Sequence, residues 1–251
     1  MSVCYKRIIV ISLLFHAVTA IAFCQQKETT TPDLSTLRNW QAGVTVSKET
    51  VAAFGGTDVC FSSKPIPDAI WKRMQGKTYQ ENPYIRRTDL RYLRVLHWDY
   101  DEKIHLGEMV CNKIIADRLV TIFRKLYEAK YPIQRMVLPD EYDADDEKQM
   151  RANNTSCFCY RFVAGSTKLS KHSIGLAVDI NPLYNPYYKK RGRKILIQPS
   201  NASRYCNRDN KFPYKINEQD LCYRLFIENG FLWGGAWKTM KDYQHFELKE
   251  N

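Results

Sequence analysis

No segment of the 251-residue chain repeats another, which excludes solenoids and propellers built from stacked units. Long hydrophobic runs are also missing. The leading candidate, IIVISLLFHAV at residues 8–18, is interrupted by Ser12 and His16 and falls short of the roughly 20 residues a membrane span needs. None of the eight cysteines forms a C-x-x-C pair, and the C-x-C pair Cys157 and Cys159 argues for buried thiols or ordinary disulfides over a zinc knuckle. The acidic stretch LPDEYDADDEKQM (138–150) lacks the ligand alternation and central glycine of an EF-hand, so it reads as a solvated turn or short helix. Acid is scarce overall: 27 Asp and Glu against 38 Lys and Arg give a net charge of +11. No nucleic-acid module surrounds the basic cluster KKRGRK (189–194), which is therefore expected to be a solvated loop, and no nucleic acid is expected as partner.

What is present describes a globular chain, 44% hydrophobic and long enough for a real core. Lys6 and Arg7 ahead of the apolar run, and the small-x-small pattern Ala20-Ile21-Ala22 after it, predict a signal peptide over residues 1–22 and export to the periplasm or the extracellular space. Lipid attachment at Cys24 ranks second, because Phe23 is large where a lipoprotein site has a small residue. Loss of Lys6 and Arg7 lowers the charge by two, to +9, a balance that attracts anionic cell-wall polymers and membrane surfaces. In an oxidising compartment Cys60, Cys111, Cys157, Cys159, Cys206 and Cys222 could form disulfides. Residues 23–55, rich in Thr, Lys, Gln and Glu, are expected to be a linker or amino-terminal extension, with a single domain over 56–251 and a monomeric protein without a stable membrane span.

Within that domain, Val110, Ile114, Ile115, Ile122, Phe123 and Leu126 recur at helical spacing and predict a helix over 108–130, stopped by Pro132. CFCYRFV has strand character. A second helix is expected over 217–229, with Asn217 as N-cap, Leu221, Cys222, Leu225 and Phe226 buried, and Gly230 at its end. Gly234-Gly235 reads as a turn and HFEL (245–248) as a terminal strand. Helices and strands do not alternate, so the fold class is α+β, a small mainly antiparallel sheet with helices packed against it.

The stretch SKHSIGLAVD (170–179) combines a histidine with an aspartate buried in an apolar run. In a strand, Leu176, Val178 and Ile180 point one way and Ala177 and Asp179 the other, while Gly175 lets the chain turn so that His172 returns over the face of Asp179. A divalent metal would neutralise a carboxylate that is otherwise costly to bury. Catalytic zinc takes three protein ligands, and His245 in KDYQHFEL is the third candidate. Asp242, three residues earlier, is placed to move a proton from water to a leaving amine. Each histidine alone is more often an ordinary core or surface residue.

Taken together, S-x-H-x-x-G-x-A-x-D at Ser170–Asp179 and D-x-x-H-F-E at Asp242–Glu247 resemble the zinc peptidases that include D-alanyl-D-alanine carboxypeptidases, vancomycin-resistance D,D-dipeptidases and phage L-alanyl-D-glutamate endolysins. The resemblance runs from about Tyr100 to the end. It implies one Zn2+ held by His172, Asp179 and His245 in a cleft on the sheet, Asp242 as general base, Ser170 as a substrate contact and Arg161 as support for the substrate carbonyl or developing oxyanion. The implied partners are peptidoglycan stem peptides, cut as a D,D-carboxypeptidase or an L-alanyl-D-glutamate endopeptidase would cut them. The alternative is a non-catalytic zinc protein that binds a wall peptide or a partner protein, as the hedgehog signalling domain resembles this architecture. Glu247 is a candidate to orient a ligand or an exposed edge carboxylate. His97 and His105 are expected to be structural, and Trp233 and Trp237 could line the cleft.

Overall fold

The structure, a computed structural model, describes residues 33–163 and 166–249. The expectations on the leader, on cleavage after Ala22 and on Cys24 lie outside these residues. The described chain begins with α1 (Ser35–Arg38), β1 (Thr45–Val46), α2 (Lys48–Ala53), β2 (Ser62–Lys64) and α3 (Asp68–Met74). A long hairpin follows, β3 (Leu90–Trp98) and β4 (Ile104–Asn112), and then the helix α4 (Lys113–Glu128). The hairpin is closed by Asp99, whose backbone N–H donates to the Lys103 carbonyl at 3.0 Å and whose Oδ1 accepts the Lys103 N–H at 2.9 Å. These strands form an antiparallel sheet in the order β1-β4-β3-β2.

Helix α4 packs on that sheet. Ile115, Ala116, Leu119, Ile122, Phe123 and Leu126 are buried against Leu93, Val95, Leu96 and Met109, and each large aliphatic or aromatic group so removed from water contributes about 1.5–3 kcal/mol. The helix starts later than its apolar spacing implied. Val110 belongs to β4 opposite Tyr92, the Asn112 side chain caps the helix by accepting the Ile114 N–H at 3.1 Å, and Ile114 is exposed. An apolar run that crosses from a buried strand into a helix imitates one longer period.

Within the stretch expected to be a linker or amino-terminal extension, the chain is folded from Ser35 on. Leu37, Trp40 and Val51 are in the core, Trp40 donates its indole N–H to the Gly107 carbonyl at 3.0 Å, and β1 extends the edge of the sheet beside β4. Three large apolar anchors suffice to dock a segment whose composition is otherwise polar.

The second half contains α5 (Asp146–Arg151), β5 (Ala177–Asp179), β6 (Tyr187–Arg191), β7 (Lys194–Gln198), α6 (Leu221–Glu228), β8 (Phe231–Trp233), β9 (Lys241–Asp242) and β10 (His245–Leu248). Two further antiparallel sheets result, β5-β10-β8 and β7-β6-β9. The α+β class stands, with three small sheets instead of one. CFCYRFV is extended without forming a ladder strand: the Phe158 N–H donates to Val110 of the first sheet at 3.0 Å, while Ser156 exchanges backbone bonds with Asp179. This segment ties the first sheet to β5. KKRGRK is not a solvated loop but the end of the β6–β7 hairpin: Lys189–Arg191 close β6, Gly192 and Arg193 make the turn and Lys194 opens β7. Helix α6 is capped by Asp220, which accepts the Cys222 N–H at 2.8 Å, so the expected Asn217 cap lies one turn too early. Cys60, Cys111, Cys157, Cys159, Cys206 and Cys222 are free thiols, all buried except the partly exposed Cys206. Among the described residues no helix is long and apolar enough to cross a membrane.

Candidate metal centre

Three elements bring the site together. Ser170 opens a 3-10 turn, Lys171–Ile174, by accepting the His172 N–H on its hydroxyl at 3.2 Å. Gly175 ends the turn at φ +66°, where a Cβ would stand 2.6 Å from the Asn112 nitrogen, so the sharp reversal into β5 needs glycine for both conformation and space. In β5 and β10 the antiparallel register sets Asp179 directly opposite His245. The His172 and His245 rings then meet edge to face, 5.1 Å apart.

His172 Nε2 lies 3.2 Å from Asp179 Oδ2 and 3.2 Å from His245 Nδ1, and His245 Nδ1 lies 3.1 Å from Asp179 Oδ1. The three donor atoms all fall within 4.8 Å of one another, a group that could hold a metal ion. The outer nitrogens decide how well they fit one. His172 Nδ1 is 2.7 Å from the Cys157 carbonyl, which can only accept, so this nitrogen carries the proton and Nε2 presents a lone pair inward. His245 Nε2 is 3.2 Å from Glu247 Oε2, so its proton sits there and Nδ1 also faces inward as a lone pair. Two lone pairs and a carboxylate then converge on one point, an arrangement that a cation resolves and that neutral groups alone leave repulsive. His2Asp is a donor set suited to zinc with an open position.

Charge follows the same geometry. Burial opposes ionisation of Asp179, but the two imidazoles outweigh it and hold the carboxyl far below its ordinary range. Burial likewise opposes a proton on His245, yet hydrogen bonds to Asp179 and Glu247 prevail and raise it to about 10. Without a cation, a proton on His245 therefore does the neutralising. Glu247 is held below its usual value first by its bond to His245.

Asp242 in β9 belongs to this cluster. Its Oδ1 is sealed from solvent with no hydrogen-bond partner among the described residues. Burial first, and the charge of Asp179 after the counteracting pull of His245, push its carboxyl up to about 7. Gly234 permits the approach, since a Cβ there would stand 2.7 Å from the Asp242 carbonyl oxygen and 3.3 Å from the His245 Cβ. Arg161 donates from Nη1 to Ser170 Oγ at 3.0 Å and from Nε to the Asp146 carboxylate, and its charge reaches both Asp179 and Asp242. All six candidate residues are thus neighbours. Trp237 stacks obliquely over His245 at 5.4 Å, whereas Trp233 is buried and gives its indole N–H to the Tyr243 carbonyl at 2.9 Å. His97 and His105 are elsewhere, stacked on each other in the first sheet.

Sequence reasoning missed two supports. Asp146, in the acidic stretch taken for a solvated turn or short helix, anchors Arg161, and the Cys157 carbonyl fixes the tautomer of His172. An acid fifteen residues from its arginine gives no local signal, and a backbone acceptor gives none at all.

Residues 164–248 match the family model described as D-alanyl-D-alanine carboxypeptidase. The match covers about a third of the chain and includes Ser170, His172, Asp179, Asp242 and His245, but not Arg161. No curated protein and no solved structure matches.

Proposed function

We propose, from the premise that this chain carries a metallopeptidase of the D-alanyl-D-alanine carboxypeptidase family, that it is an exported zinc enzyme hydrolysing amide bonds in peptidoglycan stem peptides. The observation that carries the reading is the inward convergence of His172 Nε2, His245 Nδ1 and Asp179, with Asp242, whose Oδ1 is buried without a hydrogen-bond partner, beside them. His172, Asp179 and His245 would hold the zinc, which when bound supplies a Lewis acid that polarises the scissile carbonyl and acidifies water.

The remaining work falls to side chains. Asp242, with a carboxyl raised to about 7, is matched to accept a proton from attacking water near neutral pH and to return it to the leaving amine nitrogen. Arg161, fixed between Asp146 and Ser170, would donate to the carbonyl oxygen as negative charge develops there, a preorganised stabilisation that the ground state uses less. Ser170, already engaged as cap and as acceptor from Arg161, would contact the substrate. The leader expected over residues 1–22 and the net positive charge support action on an anionic wall outside the cytoplasm.

The test is mass spectrometry of purified muropeptides incubated with zinc-loaded protein and with a chelated control. Zinc-dependent loss of a terminal alanine identifies a D,D-carboxypeptidase, and release of the stem peptide from lactoyl-alanine identifies an endopeptidase. No cleavage with zinc tightly held refutes the enzyme and leaves a zinc-containing binding protein.

A further inference from the structure

The β6–β7 hairpin is not consumed by the site. Only Tyr187 and Tyr188 of β6 pair outside it, with Asp242 and Lys241 of β9. Beyond them the two-stranded ribbon runs out from the sheet, and Lys194, Ile195 and Leu196 are all exposed. Successive strand residues point to opposite faces, so the exposure of both Ile195 (53%) and Leu196 (42%) means that neither face of the ribbon is covered there. The register sets Lys190 opposite Ile195 and Lys189 opposite Leu196, giving each apolar side chain a lysine across the ladder. From Tyr187 to Gln198 the sequence has Lys189, Lys190, Arg191, Arg193 and Lys194 and no acid.

Single exposed apolar residues need no explanation, but here two flank a cationic tip with no counter-charge in its own strands. A water-soluble polyanion would be satisfied by the cations alone. Ile195 and Leu196 gain free energy only by entering an apolar phase, and a phase that is apolar inside and anionic at its surface is a lipid bilayer. We propose that the β6–β7 hairpin docks the protein on an anionic membrane surface, lying along it with its lysines and Arg193 among the head groups and, since the two lie on opposite faces, one of Ile195 and Leu196 at the acyl boundary. No spanning helix is required. Because β6 also holds the strand of Asp242, docking sets the proposed site at a defined place relative to the bilayer. The inference stands on the hairpin and does not depend on the proposed hydrolysis.

The experiment is sedimentation of the full chain with vesicles of mixed phosphatidylglycerol and phosphatidylcholine, against phosphatidylcholine alone. Every variant shares residues 1–32, so differences between variants report the hairpin. Binding should require the anionic lipid. Lys189→Gln with Lys190→Gln should weaken it by about fivefold per charge, and Ile195→Ser with Leu196→Ser by roughly tenfold at unchanged charge. Unchanged zinc stoichiometry and unfolding temperature in both variants locate the loss at the surface. If the serine variant sediments as the parent does, the hairpin is a polyanion site and the proposal is wrong. Equal sedimentation of all variants overturns it as well.

Discussion

Replacing Asp242 by Asn keeps the shape of the side chain and removes a charge from a sealed position, so its effect on stability should depend on pH in a defined way. The Asp242 carboxyl is raised from 3.8 to about 7, chiefly by burial. Below about pH 4 both folded and unfolded chains carry the proton and the group contributes no penalty. Between about pH 4 and 7 the unfolded chain releases its proton while the folded chain keeps it, and stability falls with rising pH. Above pH 7 the penalty is complete: about 3 pKa units at 1.36 kcal/mol each is about 4 kcal/mol. The amide must itself be desolvated, which offsets part of the gain, so Asp242→Asn should stabilise the metal-free protein by about 2–4 kcal/mol at pH 8 and by little at pH 4.5. Urea unfolding at the two pH values measures both numbers. A difference between variant and parent that is the same at pH 4.5 and pH 8 would refute the idea that Asp242 is held as a buried, destabilised base.

Three other outcomes follow from the same geometry. His245, raised to about 10 by its carboxylate partners, is protonated at pH 7.5, so zinc binding should expel about one proton, measured by calorimetry in buffers of different ionisation heat; a value of zero would contradict the assigned geometry. Glu247→Gln keeps the size of the group that orients His245 but not its charge, and should weaken zinc about 10–100-fold in a chelator competition, with unchanged affinity arguing that the 3.2 Å contact is incidental. Gly175→Ala puts a Cβ at φ +66° and 2.6 Å from the Asn112 nitrogen. It should cost more than the roughly 1–3 kcal/mol of the backbone conformation alone in chemical denaturation, and a loss below about 0.5 kcal/mol would mean the turn can relax.

The site was more legible than the fold around it. His172 to Asp179 is a local pattern in which one glycine and one strand period settle which side chains share a face, and β5 carries it as read. His245 and Asp242 were reachable because the short strand HFEL begins with a histidine and an acid stands three residues before it. The first sheet was less readable. Val110 joins a strand that runs straight into α4, and two apolar elements in series hide their own boundary. Residues 35–53 bury only Leu37, Trp40 and Val51 fully, too few apolar positions to stand out from a polar background. The ion pair of Arg161 with Asp146 depends on tertiary placement, which no periodicity reports.

The proposed hydrolysis needs a zinc ion held by His172, Asp179 and His245 and a base at Asp242. Muropeptide mass spectrometry with the zinc-loaded parent and zinc-loaded Asp242→Asn proteins, each with measured metal content, tests it most directly. Cleavage by the parent, and none by the variant at equal zinc occupancy, is the expected result. Cleavage by the variant at the rate of the parent would contradict the role of Asp242, and an intact substrate with the fully loaded parent would contradict the peptidase itself.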